Sequence, residues 1–493
     1  MLEKKEKCPE NGGVGLKREI GLISAVNFLI NYIIASGIFI TPGKLLAECG
    51  SVGMMLTMWV LCGFIAFLSC LPFGELSTVV PKSGSIYIYL HEAFKGFHPF
   101  FGGLPSFVYF WVSYIIVMPA SAALSAMLFA EYSVIIIRLI WHEDCLRDEN
   151  ACLRAKYFLG GGALVLIGVV NCISVKLYIK SQDILTYIKM SCIVFIIGCG
   201  FYMSASGKAK DYDSSFTGTH LSIKRLTQAL YFGLYAYDGG WAITGITEEL
   251  KNPEKNIVFS ILIALTISTV TYLCLNLTFL TALTPEQMSD ATTVIADFTH
   301  EMFGPSGGGI AAGIICLCLL TSIMSNVFYS SRIGYVAARE GHVFEFLCYI
   351  HKKLQTPAPA VICQIVLSLI YFFVGGNITL LVDMCGFFMW MSYGITMVAL
   401  FVLRSKLPDA YRPFRVPSAI PILVAAVSVF LVVESIMIID IVLLLVFAAL
   451  VAFIVFVYYI FIYRAFKIES LNKWQKKVQN SLSLVPPAGE LKL

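Results

Sequence analysis

The chain has 493 residues, of which 58% are hydrophobic and only 13% charged, with a mean hydropathy of +0.81 and a net charge of +4. Soluble domains carry about 25% charged residues, so half that fraction places this chain in lipid and leaves no soluble catalytic domain to be found. The surplus Lys and Arg lie between apolar runs, where they read as an orientation signal and not as a nucleic-acid-binding arm.

In chain order, a polar tail over residues 1–18 precedes apolar runs of roughly 20 residues, the length that spans a bilayer, which recur about twelve times. They fall near 22–45, 52–72, 101–137, 158–175, 182–203, 226–247, 257–283, 307–329, 358–375, 379–403, 419–438 and 441–463. A second polar tail covers 466–493. The expected organisation is therefore all-α and polytopic, a membrane domain over 19–465 between two tails. Each half, about 22–203 and 226–403, opens on a broken span and continues with four more, and two extra spans follow at about 419–463.

The first break lies in Asn31-Tyr32-Ile33-Ile34-Ala35-Ser36-Gly37-Ile38-Phe39, the second in Tyr235-Ala236-Tyr237-Asp238-Gly239-Gly240-Trp241. Glycine destabilises a helix interior, and unwound backbone at membrane depth survives only where it lines a cavity or meets a ligand. Small residues also allow close helix packing, which is the plainer reading of one such segment. Paired interruptions in corresponding positions of two halves point instead to a transporter's substrate site.

Threading the spans with the N-terminus inside puts most of the 35 Lys and Arg on the cytoplasmic side, including Lys4, Lys5, Arg404, Lys406, Arg412 and Arg415. That bias favours both termini in the cytoplasm. The first span is long and broken and lacks a cleavage site, so no cleavable signal is expected. Most of the 15 Cys lie in apolar spans and read as small core residues; none shows metal-ligand spacing. Cys145 and Cys152 differ, because they share a polar loop placed outside, where disulfides persist. They could pair with each other, or one could reach another chain.

An unwound segment presents N–H groups at the start of one half-helix and carbonyls at the end of the other, which together suit a zwitterionic amino acid. The candidate donors are Ser36, Gly37 and Ile38 from the first break and Gly239, Gly240 and Trp241 from the second. Asp238 carries a charge at a depth where charge is costly, so it either faces a cationic group or proton or caps the following half-helix. Lys189 is a Lys placed well inside a span. It either stands where a bound cation would sit, bridging helices, or snorkels to the surface. Tyr235 and Tyr237 point to different helix faces, so only one of them, Tyr235, is a candidate lid.

In order along the chain come Ser36-Gly37-Ile38-Phe39-Ile40-Thr41-Pro42, Gly74-Glu75-Leu76-Ser77, Pro81-Lys82-Ser83-Gly84-Ser85-Ile86-Tyr87, Tyr235-Ala236-Tyr237 through Ile246-Thr247-Glu248-Glu249, Arg339-Glu340-Gly341-His342, Thr356-Pro357-Ala358-Pro359-Ala360 and Arg412-Pro413-Phe414-Arg415-Val416-Pro417. This series resembles the amino acid–polyamine–organocation superfamily and, within it, the light subunits of heteromeric amino acid transporters. The resemblance implies a five-plus-five inverted-repeat fold with two added helices and sodium-independent amino acid transport, often obligatory exchange, by alternating access. It also implies that Lys189 replaces the ion of sodium-coupled relatives and that Tyr235 is the aromatic gate. Cys145 is similar to the external cysteine that links the light subunit to a single-span glycoprotein heavy chain, with Cys152 a second candidate. Val485-Pro486-Pro487 is similar to a tail motif of the exchanger of cystine and dibasic for neutral amino acids.

Five positions depart from the pattern. Ala35 and Asn31 replace usual glycines, Gly240 and Trp241 exchange small for large, and Met118 replaces a basic residue of some members. The last argues against an anionic substrate. The sequence thus reads as a plasma-membrane carrier of neutral L-amino acids, large or aromatic ones included because Gly240 opens space. Cystine and dibasic amino acids exchanged for neutral ones form the second reading. No cofactor, metal or catalytic group is expected. The alternative of a different class is a channel or receptor; a channel would show charge rings or filter loops, and none is visible.

Overall fold

The computed structural model describes residues 16–35, 37–141, 148–210, 215–291, 293–351, 354–374, 378–438, 441–464 and 484–486. Ser36, Cys145 and Pro487 lie outside these.

The architecture is all-α, as expected. A short helix α1 (Leu22–Ile33) is followed by α2 (Gly37–Cys49), α3 (Val52–Val79) and the short α4 (Ile86–Phe94). Helix α5 (Leu104–Phe110) runs through wider, π-type turns at Trp111–Val117 into α6 (Met118–Trp141). Next come α7 (Glu149–Ile173), α8 (Val175–Ala205) and α9 (Ile223–Ala236), which gives way to a tight 3₁₀ segment, Ala242–Glu249. The second half continues with α10 (Pro253–Ala282), the short α11 (Pro285–Asp290) and α12 (Val294–Phe303), and the long α13 (Gly307–Arg339). Four more helices complete the bundle: α14 (Ala358–Val374), α15 (Ile378–Lys406), α16 (Ala419–Ile438) and α17 (Ile441–Tyr458). Strand β1 (Ile350–His351) pairs antiparallel with β2 (Leu484–Val485), which brings the C-terminal tail onto the loop after α13.

Among the described residues nine helices are long and apolar enough to cross a membrane, and ten when the bent pair α1 and α2 counts as one span. Of the roughly twelve runs read from sequence, the other two correspond to α14, with 17 residues, and to α9 with its 3₁₀ extension. Polar residues on the inner faces hold the helices in register. Asp183 of α8 accepts from Ser24 Oγ at 2.7 Å and Asn27 Nδ2 at 2.8 Å of α1, and Asn31 Nδ2 donates to Thr186 Oγ1 at 2.7 Å. Asn31, noted above for replacing a usual glycine, is therefore a buried tie between α1 and α8.

Candidate functional site

Both breaks are real interruptions of helix, and they meet. After Ile33 the backbone leaves helical geometry at Ile34 (φ −81°, ψ 77°) and restarts at Gly37, with α1 and α2 bent 48° apart. After Ala236 the chain passes through Gly239 at φ +116°, a left-handed conformation that L side chains rarely adopt. A Cβ there would lie 2.3 Å from the Tyr32 ring, so glycine is required twice over. A Cβ on Gly37 would stand 3.3 Å from Ala236 Cα, which places the two broken segments back to back. The Tyr272 hydroxyl of α10 lies 3.0 Å from the Ile33 carbonyl and 2.8 Å from that of Ala236, and so ties the C-terminal ends of both half-helices to one group. Nothing local marked Tyr272 in the sequence. Its role depends on a contact 239 residues away.

Lys189 is fully buried and does not snorkel. Its ammonium reaches the Ile34 carbonyl at 3.1 Å, the Ile30 carbonyl at 3.5 Å and Thr321 Oγ1 of α13 at 3.3 Å. The last turn of a helix leaves carbonyls without intrahelical partners, and a cation there is favoured by the helix dipole. Lys189 meets that need at the end of α1 while joining α8, α1 and α13.

Beside the breaks lies a cavity of about 190 Å³ walled by α1, α3, α6, α9, α13 and α15. Gly37, Tyr235 and Asp238 line it, together with Met118, Ser69, Asn326 and Tyr393. Asp238 Oδ1 accepts from the Trp241 indole and from the Tyr393 hydroxyl, each at 3.1 Å. Both donors are neutral, so among the described residues the carboxylate lines the cavity without a cationic side chain in hydrogen-bond contact. Tyr235 is 44% exposed, whereas Tyr237 is buried and donates to the Trp59 carbonyl at 3.2 Å. Both residues nevertheless border the cavity, Tyr237 with its hydroxyl tied to α3 and Tyr235 the more open of the two.

Ile38, Gly239, Gly240 and Trp241 lie outside the cavity lining. Trp241 sits below it, with its ring against Tyr32, Phe73 and Tyr329. The space expected from Gly240 is taken by the Cys70 thiol, which a Cβ would meet at 2.6 Å. Room in the cavity comes instead from Ala66, Ala120, Ala123 and Gly386. Cys152 lies in the first turn of α7, where an Arg138 guanidinium nitrogen approaches its sulfur at 3.5 Å. The widened turns ahead of Met118 had no sequence signal, because π-type turns arise from packing.

Farther along the same helices, ion pairs join neighbouring elements. Arg332 of α13 makes a two-pronged pair with Glu249 at 2.6 and 3.1 Å, and both side chains are fully buried. Arg339 grips Glu248 in the same way at 2.7 and 3.1 Å, and Arg404 grips Glu75 at 2.6 and 2.9 Å. Nearby, burial and the adjoining His91 push His342 down to about 3, so its neutral ring bonds the Tyr87 hydroxyl at 2.9 Å. Glu248 and Glu249 continue the segment that carries the second break, so pulling either away from its arginine bears on the cavity's own backbone.

An all-α membrane bundle in which two broken helices meet beside a cavity, with ion pairs joining the elements farther along, has the design of a solute carrier. The chain belongs to the amino acid permease family, whose model matches residues 20–463, and within it to the light subunits of heteromeric amino acid transporters. It is 35% identical over 434 residues to the b(0,+)-type amino acid transporter 1 of Mus musculus, covering 88% of this chain and 86% of that one. It is also 35% identical over 427 residues to the human cystine/glutamate transporter, covering 87% and 82%. Identity to the human large neutral amino acids transporter small subunit 2 is 32% over 430 residues, covering 86% and 77%. The chain is a membrane amino acid transporter.

Proposed function

We propose that it exchanges neutral L-amino acids across the plasma membrane without sodium, by alternating access, with both termini in the cytoplasm. The observation that carries this reading is Lys189: a fixed ammonium on the carbonyls of Ile30 and Ile34 takes the place a coupling cation would need. The N–H groups at the start of α2, from Gly37 and Ile38 with Ser36 before them, would hold the substrate carboxylate. The backbone around Gly239–Trp241 would join them in holding the α-carboxylate and α-amino groups, and Tyr235 would close over the substrate. Repeats over about 22–203 and 226–403 would form a five-plus-five inverted pair. Purified chain in liposomes loaded with neutral amino acids should show saturable uptake without sodium, accelerated by internal substrate. Strict dependence on sodium, or uptake indifferent to internal substrate, would refute it.

The second reading, exchange of cystine and dibasic for neutral amino acids, is favoured by one observation: Asp238 faces the cavity and takes hydrogen bonds only from neutral side chains. Asp238→Asn is expected to lower cationic relative to neutral uptake about tenfold, the effect of removing one charge-assisted bond. An unchanged ratio would leave Asp238 a structural role with Trp241 and Tyr393.

A single-span glycoprotein heavy chain is the proposed partner, linked through Cys145 or, second, Cys152. Cys145→Ser should abolish the reducible heterodimer band on non-reducing gels. A persisting band that disappears with Cys152→Ser would move the link to α7.

A further inference from the structure

The cavity that Asp238 lines also holds a polar group that its surroundings leave unused. Asn326 of α13 is 7% exposed, and its carboxamide oxygen accepts no hydrogen bond. An unpartnered buried acceptor costs about 1–3 kcal/mol, so most such groups are paired. Its nitrogen has one partner, the Met118 thioether at 3.7 Å, which also accepts from the Tyr32 hydroxyl at 3.7 Å. Thioether sulfur is a weak acceptor, so that N–H is readily redirected. Asn326, Met118 and Tyr32 all line the cavity. The side chain therefore offers one free acceptor and one loosely held donor on a single planar group, the complement of another carboxamide.

We propose that Asn326 determines side-chain specificity in this carrier, pairing with the terminal carboxamide of a glutamine-like substrate when the cavity closes around it. This rests on the reading that the two breaks hold the substrate's α-carboxylate and α-amino groups, which directs the side chain away from them and toward α6 and α13. Met118 contributes by its softness. A basic residue there would hold the Asn326 oxygen as its own partner, whereas the thioether leaves it open. Aliphatic side chains of the same length fit the space but leave the Asn326 oxygen unpaired.

The test is exchange in proteoliposomes of the full chain, with glutamine and methionine compared as substrates of similar length. Wild type should prefer glutamine. In Asn326→Leu the ratio of kcat/KM for glutamine to that for methionine should fall about tenfold, the loss of one hydrogen bond in a water-poor site, with methionine exchange retained. Should the leucine variant fail to fold, Asn326→Ser, too short to reach the substrate, must show the same fall. Variants that exchange both amino acids at the wild-type ratio overturn the assignment. A wild-type protein that exchanges no amino acid overturns the reading of the breaks, and the assignment with it.

Discussion

Arg332→Ala is expected to destabilise the protein by about 3–5 kcal/mol, the usual effect of leaving a buried charge without its partner. Arg332 and Glu249 are both fully buried, and the guanidinium is further held by Ser331 Oγ at 2.9 Å, the Phe328 carbonyl at 3.3 Å and the face of the Phe328 ring at 3.4 Å. Removing it strands the Glu249 carboxylate in a place that water does not reach. Arg332→Lys should recover little, because an ammonium cannot reproduce the two-pronged geometry. The double variant Arg332→Met with Glu249→Leu should recover most of the loss, since replacing both charges with apolar groups is often neutral. Thermal unfolding in detergent reads all three. Single variants that unfold within about a degree of wild type would mean that the pair is hydrated and does not hold α13 in place. The same pair must part for Glu249 to move away from α13, so the double variant should also favour the state in which they are apart. Cysteine labelling of introduced sites on α13 would report it.

Lys189→Ala is expected to abolish exchange while the protein still reaches the membrane. The substitution removes the donor from the carbonyls of Ile30 and Ile34 and unties Thr321, all within the membrane-embedded bundle. Each stranded acceptor costs about 1–3 kcal/mol, and no lipid can supply the missing bond. The end of α1 would lose its position against α13, and with it the alignment of the first break. Lys189→Arg should not rescue, because a planar guanidinium cannot place its donors on these acceptors as a compact ammonium does. Exchange at the wild-type rate by Lys189→Ala, measured against surface protein, would remove Lys189 from the proposed mechanism. Sodium-stimulated exchange by that variant would strengthen the view that its ammonium stands in for a cation.

Much of the site was legible because membrane chemistry makes its exceptions conspicuous. A Lys deep in a span, an Asp within a break and paired glycines stand out against apolar spans, since each is costly there unless it meets a partner or lines a cavity. That logic led to Lys189, Asp238, Gly37 and Gly239. Gly239 is a clear case, because its left-handed φ admits no other residue without strain. The residues that escaped notice are ordinary in composition. Tyr272 and Asn326 are unremarkable on an apolar helix, and only contacts with distant residues give them a role. Gly240 misled for the same reason. A small residue makes space only on the face it presents, and here that face meets Cys70.

The sequence by itself determined the solvent, the all-α class, the broken spans and the family. Hydropathy, local backbone preference and an ordered set of motifs carry that information without reference to packing. The tertiary structure alone decided which of the break residues face the cavity, that Lys189 reaches three partners, and that ion pairs join neighbouring elements farther along. These depend on helix rotation and on side chains 83 to 329 positions apart in the chain, as with Arg332 and Glu249 or Arg404 and Glu75. Periodicity shows that a helix has an inner face. It does not show which neighbour that face meets, because the crossing of two helices is set by the packing of both surfaces together.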